Sequence, residues 1–176
     1  AWEEKDESGL SKKIIIYDLH GVFKRSFKHK QNEESMFYTE IFNFDKNNLI
    51  CYDKYHKEIP FVLVSKQDGS ITRDIKIPFK EKKILNQSFD DWTVSPGPYR
   101  TIIPFKGDLL LLEHSSDTIY TLLPDYNLRP FIVRTPPIDS MEPEVFLMIR
   151  MLSDRYLFME TIKNIYDFDK DRGFPK

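Results

Sequence analysis

A chain of 176 residues that is 40% hydrophobic and 14% aromatic has enough apolar material for a sizeable core, which excludes a disordered chain. Its 26 basic and 28 acidic residues are mixed along the sequence and leave a net charge of -2, so no basic stripe directs it to nucleic acid or an anionic membrane. No run approaches the roughly 18 apolar residues of a membrane-spanning helix, and no signal-peptide pattern occurs.

In chain order, residues 1–11 are polar apart from Trp2 and Leu10 and read as a frayed end or loop; because the first residue is Ala1, an upstream segment is expected to have been removed. Lys13-Ile14-Ile15-Ile16-Tyr17 reads as a short buried strand. The turn Asp18-Leu19-His20-Gly21 joins it to Val22-Phe23-Lys24-Arg25-Ser26-Phe27, making one hairpin. From Phe37 the pattern restarts, with strands predicted over residues 37–44, 49–52, 59–65 and 71–77. Their turns fall at Asp45-Lys46-Asn47-Asn48 and Gln67-Asp68-Gly69. Phe61-Val62-Leu63-Val64 is apolar throughout, as in a strand covered on both faces, whereas Ile71, Ile75 and Ile77 alternate with polar residues. Cys51, the single cysteine, excludes an internal disulfide, and its place in Leu49-Ile50-Cys51-Tyr52 predicts a buried, inert thiol.

Residues 80–98 interrupt the rhythm and read as a long loop. Strands resume over residues 99–105, 109–113, 118–123 and 128–134, reproducing the preceding unit element by element. After the loop of residues 135–143 come strands over 145–152, 156–160 and 164–168. The first hairpin turn of successive units falls at Asn47, Gly107 and Ser153. These spacings of about 60 and about 46 residues match the roughly 40–50 of a propeller blade once the long connection is discounted.

The predicted fold is therefore all-β: a β-propeller portion of about three to four four-stranded antiparallel blades. It is laid out as a half blade over 13–27, blades over 37–77 and 99–134, and a partial blade over 145–168. A β-sandwich is the competing arrangement, but its strands should alternate more cleanly than Leu109-Leu110-Leu111-Leu112 does.

Asp117-Thr118-Ile119-Tyr120, the following turn and Leu128-Arg129-Pro130-Phe131-Ile132-Val133 resemble the six-bladed β-propeller family of Bacteroides-type bacteria. Many members of that family are predicted lipoproteins of unknown function. Gly97-Pro98-Tyr99-Arg100 and Ser153-Asp154-Arg155-Tyr156-Leu157-Phe158 are similar to further patterns there. The resemblance implies a cell-envelope location, periplasmic or at the outer-membrane surface, and an upstream lipid anchor. It brings no catalytic motif. The chain holds fewer blades than a closed ring needs, so it is expected either to be a portion of a larger propeller or to be completed by a second copy through exposed blade faces.

Local motifs for chemistry are few. Asp167, Asp169 and Asp171 have the alternate spacing of a calcium loop, but the glycine comes a place late at Gly173, and a solvated turn is expected. Ser65-Lys66-Gln67-Asp68-Gly69 is an Asp-Gly hairpin turn. His20, His29, His56 and His114 have no metal-ligand spacing, and no hydrolase elbow, phosphate loop or nucleotide fingerprint occurs. No catalytic residue, metal or cofactor is therefore assigned. Arg150, a charge in an apolar inner strand, is expected to face a wet channel or pair with a carboxylate such as Glu40.

Blade topology places residues 53–58, 80–98, 114–117 and 161–164 at one end of the ring. Tyr55, His56, Phe89, Trp92 and His114 there form the candidate ligand-binding set, suited to a carbohydrate, peptide or protein partner. The competing reading has Phe89 and Trp92 pinning the long loop onto its blade. The expected function is a non-enzymatic binding or interaction module. The alternative is a metal-dependent lactonase-like or lyase-like enzyme, which would need several acidic, amide or imidazole side chains converging on the channel.

Overall fold

The computed structural model describes residues 13–28, 38–89, 91–95 and 99–165, with the backbone alone for Phe89 and Trp92. Among the described residues strands dominate. The one helical element among the described residues is a 3-10 turn at Ile138–Ser140, and no helix there is long and apolar enough to cross a membrane. The chain divides into two compact units, Ala1–Lys76 and Ile77–Lys176.

In the first unit, β1 (Lys13–Tyr17) and β2 (Phe23–Lys28) form an antiparallel hairpin. β3 (Tyr38–Asn43), β4 (Asn48–Asp53), β5 (Phe61–Ser65) and β6 (Ile71–Ile75) then pair in sequence order as a four-stranded antiparallel meander. Its turns carry the expected chemistry. Asp45 Oδ1 accepts the backbone N–H groups of Asn47 and Asn48, each at 2.7 Å, and so closes the β3–β4 turn with a side chain in place of a backbone acceptor. Gly69 supplies the positive φ of 75° in the β5–β6 turn.

Phe27, with Ile14 and Ile16, packs onto Tyr38, Cys51, Val62 and Val64 of the meander. The alternate residues Ile50, Phe61 and Leu63 are also fully buried, so β4 and β5 are covered on both faces, as their unbroken apolar runs require. Each such side chain contributes about 1.5–3 kcal/mol of burial. The same burial pushes the Cys51 thiol up to about 12, which makes it the inert group expected.

In the second unit, β7 (Gln87–Phe89) and β8 (Trp92–Val94) form a small hairpin. A second meander in sequence order follows: β9 (Ile102–Phe105), β10 (Asp108–Leu111), β11 (Thr118–Leu122) and β12 (Leu128–Val133). Lys106 and Gly107 both have positive φ, 51° and 88°, and make a two-residue β9–β10 turn whose twist matches that of the strands. β13 (Val145–Leu152) and β14 (Leu157–Lys163) form a last hairpin. Ile149, with Leu152, packs on Ile103, Leu110, Leu112 and Ile119 of the meander. Phe146, Met148 and Ile162 pack instead against Leu85 and Ile138, flanked by Tyr99 and Met141.

Among the described residues, two four-stranded antiparallel sheets therefore stand where repeated blades were predicted, alongside three two-stranded ones. Some details differ from the sequence reading. The stretch read as a long loop contains the β7–β8 hairpin, in which Ser88 Oγ and Thr93 Oγ1 lie 3.0 Å apart across the strands. β14 runs on to Lys163, and Asn164 and Ile165, read as the start of another strand, lie outside any strand. Phe37, His29, residues 166–168 and the aspartates at 167, 169 and 171 fall outside the described residues. Arg150 pairs with a carboxylate, that of Glu160 on the adjacent strand β14, and about half of its side chain stays in solvent.

Candidate functional site

In the first unit, the chain between β4 and β5 forms a loop braced from within. Asp53 N donates to Pro60 O at 2.8 Å across its base, and Asp53 Oδ1 accepts Tyr55 N at 2.9 Å. His56 Nδ1 accepts the N–H of Ile59 at 2.9 Å and of Glu58 at 3.3 Å, which fixes the proton of the neutral imidazole on Nε2. These bonds hold Tyr55 in solvent, where its side chain is 54% exposed and Lys54 Nζ lies 5.7 Å from the ring centroid. The loop can thus present a phenol ring and a neighbouring cation with little entropy left to lose on binding.

The second unit treats its three candidates differently. Phe89 and Trp92 are cross-strand partners in β7–β8, and their side chains lie outside the described atoms. His114, one of the candidate ligand-binding residues, is only 6% exposed. Its ring meets Tyr99 edge-on at 4.2 Å, and its Nε2 sits 3.0 Å from Met148 Sδ, so it acts as packing between the meander and β13. Sequence spacing places it in the loop after β10, but does not register that the segment before β9 folds over that loop.

That segment is a strap. Lys82 Nζ donates to Glu113 Oε2 at 2.7 Å, with both side chains buried, and Glu113 Oε1 accepts Ser115 N at 3.1 Å and Ser115 Oγ at 2.8 Å. Ser115 Oγ in turn accepts Lys83 N at 2.7 Å. Lys83 Nζ reaches Glu144 at 2.9 Å and Asp139 at 3.3 Å, and Glu144 Oε2 accepts Asn164 Nδ2 at 2.8 Å. Gln87 Nε2 donates to Asn164 O at 3.0 Å and Oδ1 at 2.9 Å, while Leu85 enters the core beside Phe146. Within six residues the strap thus engages the β10–β11 loop, the chain entering β13 and the end of β14. Sequence reasoning missed this network. The available signal was Glu113 standing directly after four leucines, a buried-strand position where a carboxylate needs a partner.

The strap's charges set a pH dependence. Hydrogen bonds from Asn164, then from Lys83, hold the Glu144 carboxyl below its ordinary value of 4.5. A carboxyl with a depressed folded-state pKa adds stability above its unfolded pKa and loses it as pH falls through the folded one. Chemical denaturation at neutral pH and at about pH 3 is therefore expected to show a larger acid loss for the native chain than for Glu144→Gln. Equal losses would remove Glu144 from the acid response.

Beside the strap, Arg134 is a largely buried guanidinium whose pKa is pulled down by desolvation. Its Nε lies 3.9 Å from Asp117 Oδ1 and its Nη2 3.8 Å from Met141 Sδ. The recess it lines with Ser116, Asp117 and Leu147 has room for about one water molecule, too little for an organic ligand. Among the described residues, no group of three His, Cys, Asp or Glu side chains is placed to hold a metal ion. Comparison of the chain with protein-family models, with curated proteins and with solved structures finds no match to any of them.

Proposed function

We propose that the chain is a section of a six-bladed β-propeller and serves as a non-enzymatic binding module of the bacterial cell envelope, taking a carbohydrate, peptide or protein ligand. The propeller reading is supported by two sequential four-stranded meanders whose second strands, β4 and β10, are apolar and largely buried, as blades stacked face to face demand. The envelope location and upstream lipid anchor rest on the sequence resemblance alone.

Binding rests on one observation: Tyr55 is held out in solvent by a loop whose own hydrogen bonds fix it, an arrangement that core packing does not call for. Oligosaccharide and peptide arrays probed with the chain are expected to retain it. Tyr55→Ala should weaken retention about tenfold or more, the scale of one lost aromatic contact, with no change in thermal stability. Retention no better than that of heat-denatured protein, or equal retention of the variant, would reject Tyr55 as the contact.

A further inference from the structure

We propose that the tip of the β1–β2 hairpin is a membrane-docking point, which inserts shallowly into the surface of a bilayer carrying anionic lipid. The site is separate from the Tyr55 loop and its ligand.

The hairpin turns its two faces to different surroundings. Ile14, Ile16 and Phe27 pack onto the β3–β6 meander, whereas Ile15 and Tyr17, which alternate with them, are each about half exposed. Tyr17 is the cross-strand partner of Phe23, and their rings meet edge to face at 6.0 Å. Beyond this pair the chain carries Leu19, fully exposed, and Val22, which at 54% is as exposed as Phe23. Five large apolar side chains of one hairpin are thus left outside the core.

The tip is a fixed turn. Asp18 Oδ1 accepts the N–H groups of His20 and Val22, each at 2.9 Å. Asp18 N donates to Val22 O at 3.0 Å, and Asp18 O accepts the N–H of Gly21, whose φ of 78° closes the turn. Leu19 is therefore presented with little order left to lose on insertion. The Asp18 carboxylate is neutralised in turn by Lys24 Nζ at 2.8 Å.

Charge and shape select the partner. Residues 13–28 carry Lys13, Lys24, Arg25 and Lys28 against Asp18 alone, a net charge of +3 in a chain whose total is -2. The even mixture of charge over the whole sequence conceals this local excess. From the tip inward come aliphatic Leu19 and Val22, then aromatic Tyr17 and Phe23, then basic Lys24 and Arg25. That is the order of hydrocarbon, interface and phosphate in an anionic bilayer. His20, beside Leu19, has an apolar ring with a polar rim, which the headgroup layer accepts. A convex apolar point suits a phase that opens around it, whereas a protein partner would have to offer a matching socket. A nucleic acid would meet the basic residues and leave Leu19 in water.

Co-sedimentation with vesicles provides the test. The chain is expected to bind phosphatidylcholine vesicles containing about 30% phosphatidylglycerol at least about tenfold more tightly than phosphatidylcholine alone, and to be released by about 0.5 M salt. Leu19→Asp should weaken this binding about tenfold or more and Leu19→Trp should strengthen it, both with the far-UV spectrum of the native chain. Arg25→Glu should lower binding to the mixed vesicles alone. A polarity-sensitive dye attached to Leu19→Cys, where the buried Cys51 thiol does not compete, should shift to the blue on the mixed vesicles. Equal binding to both vesicle types, binding indifferent to Leu19→Asp, or a dye that stays in water overturns the insertion. Self-association without lipid that Leu19→Asp abolishes also overturns it and gives the tip to a second copy.

Discussion

Replacing Glu113 with alanine is expected to destabilise the second unit by about 3–5 kcal/mol, the cost of leaving a buried lysine without its counter-charge. The Lys82 and Glu113 side chains are 6% and 0% exposed, and the second carboxylate oxygen also anchors Ser115, which receives the backbone of Lys83. The loss therefore releases the strap as well as the pair. The double variant Lys82→Met, Glu113→Leu separates these effects: it removes both charges and should recover much of the stability, because the desolvation cost goes with the attraction. Denaturant unfolding of the three proteins provides the check. A Glu113→Ala loss below about 1 kcal/mol would place the pair in effective contact with water.

Gly69→Ala is expected to cost the first unit about 2–4 kcal/mol, combining a conformational penalty with overpacking. At φ +75° any side chain is strained, and an added Cβ would clash with Phe27 Cδ2 and stand 2.7 Å from its Cγ. Phe27 cannot yield cheaply, because it is the residue through which β2 joins the core of Tyr38, Cys51, Val62 and Val64. Combining Gly69→Ala with Phe27→Leu should give a loss smaller than the sum of the two single losses, since the smaller side chain relieves the clash and leaves the backbone strain. Strict additivity would mean that the ring had already moved aside.

The strands could be read from the sequence where local chemistry and tertiary demand agree. Phe61-Val62-Leu63-Val64 is buried on both faces, and Leu109-Leu110-Leu111 likewise, because a strand covered on both faces has no solvent side for a polar residue to occupy. Lys106-Gly107 and Gln67-Asp68-Gly69 announced their turns through residues that accept positive φ. The β7–β8 hairpin was missed because its strands are three residues each, too short for a period to emerge from Gln87-Ser88-Phe89.

The candidate site was less readable. Tyr55 and His56 fall in the loop between β4 and β5, but their bracing depends on Asp53 and Pro60, which meet only once β4 and β5 have paired. The burial of His114 is decided by neighbours distant in sequence, Tyr99, Phe146 and Met148. Sequence spacing reports which residues share a strand. It does not report which segment will later fold across the strand's end.

The strap also bears on the order in which the protein is made. Gln87 is bonded to Asn164, 77 residues further on, whereas the β3–β6 meander joins neighbours that emerge one after another. During synthesis the first unit can settle as soon as β6 leaves the ribosome. The second must keep Leu85 and its companions waiting until nearly the last of the described residues has appeared. That interval, at about 5–20 residues per second, is several seconds of exposed leucine and phenylalanine, the period when a chaperone has most to protect.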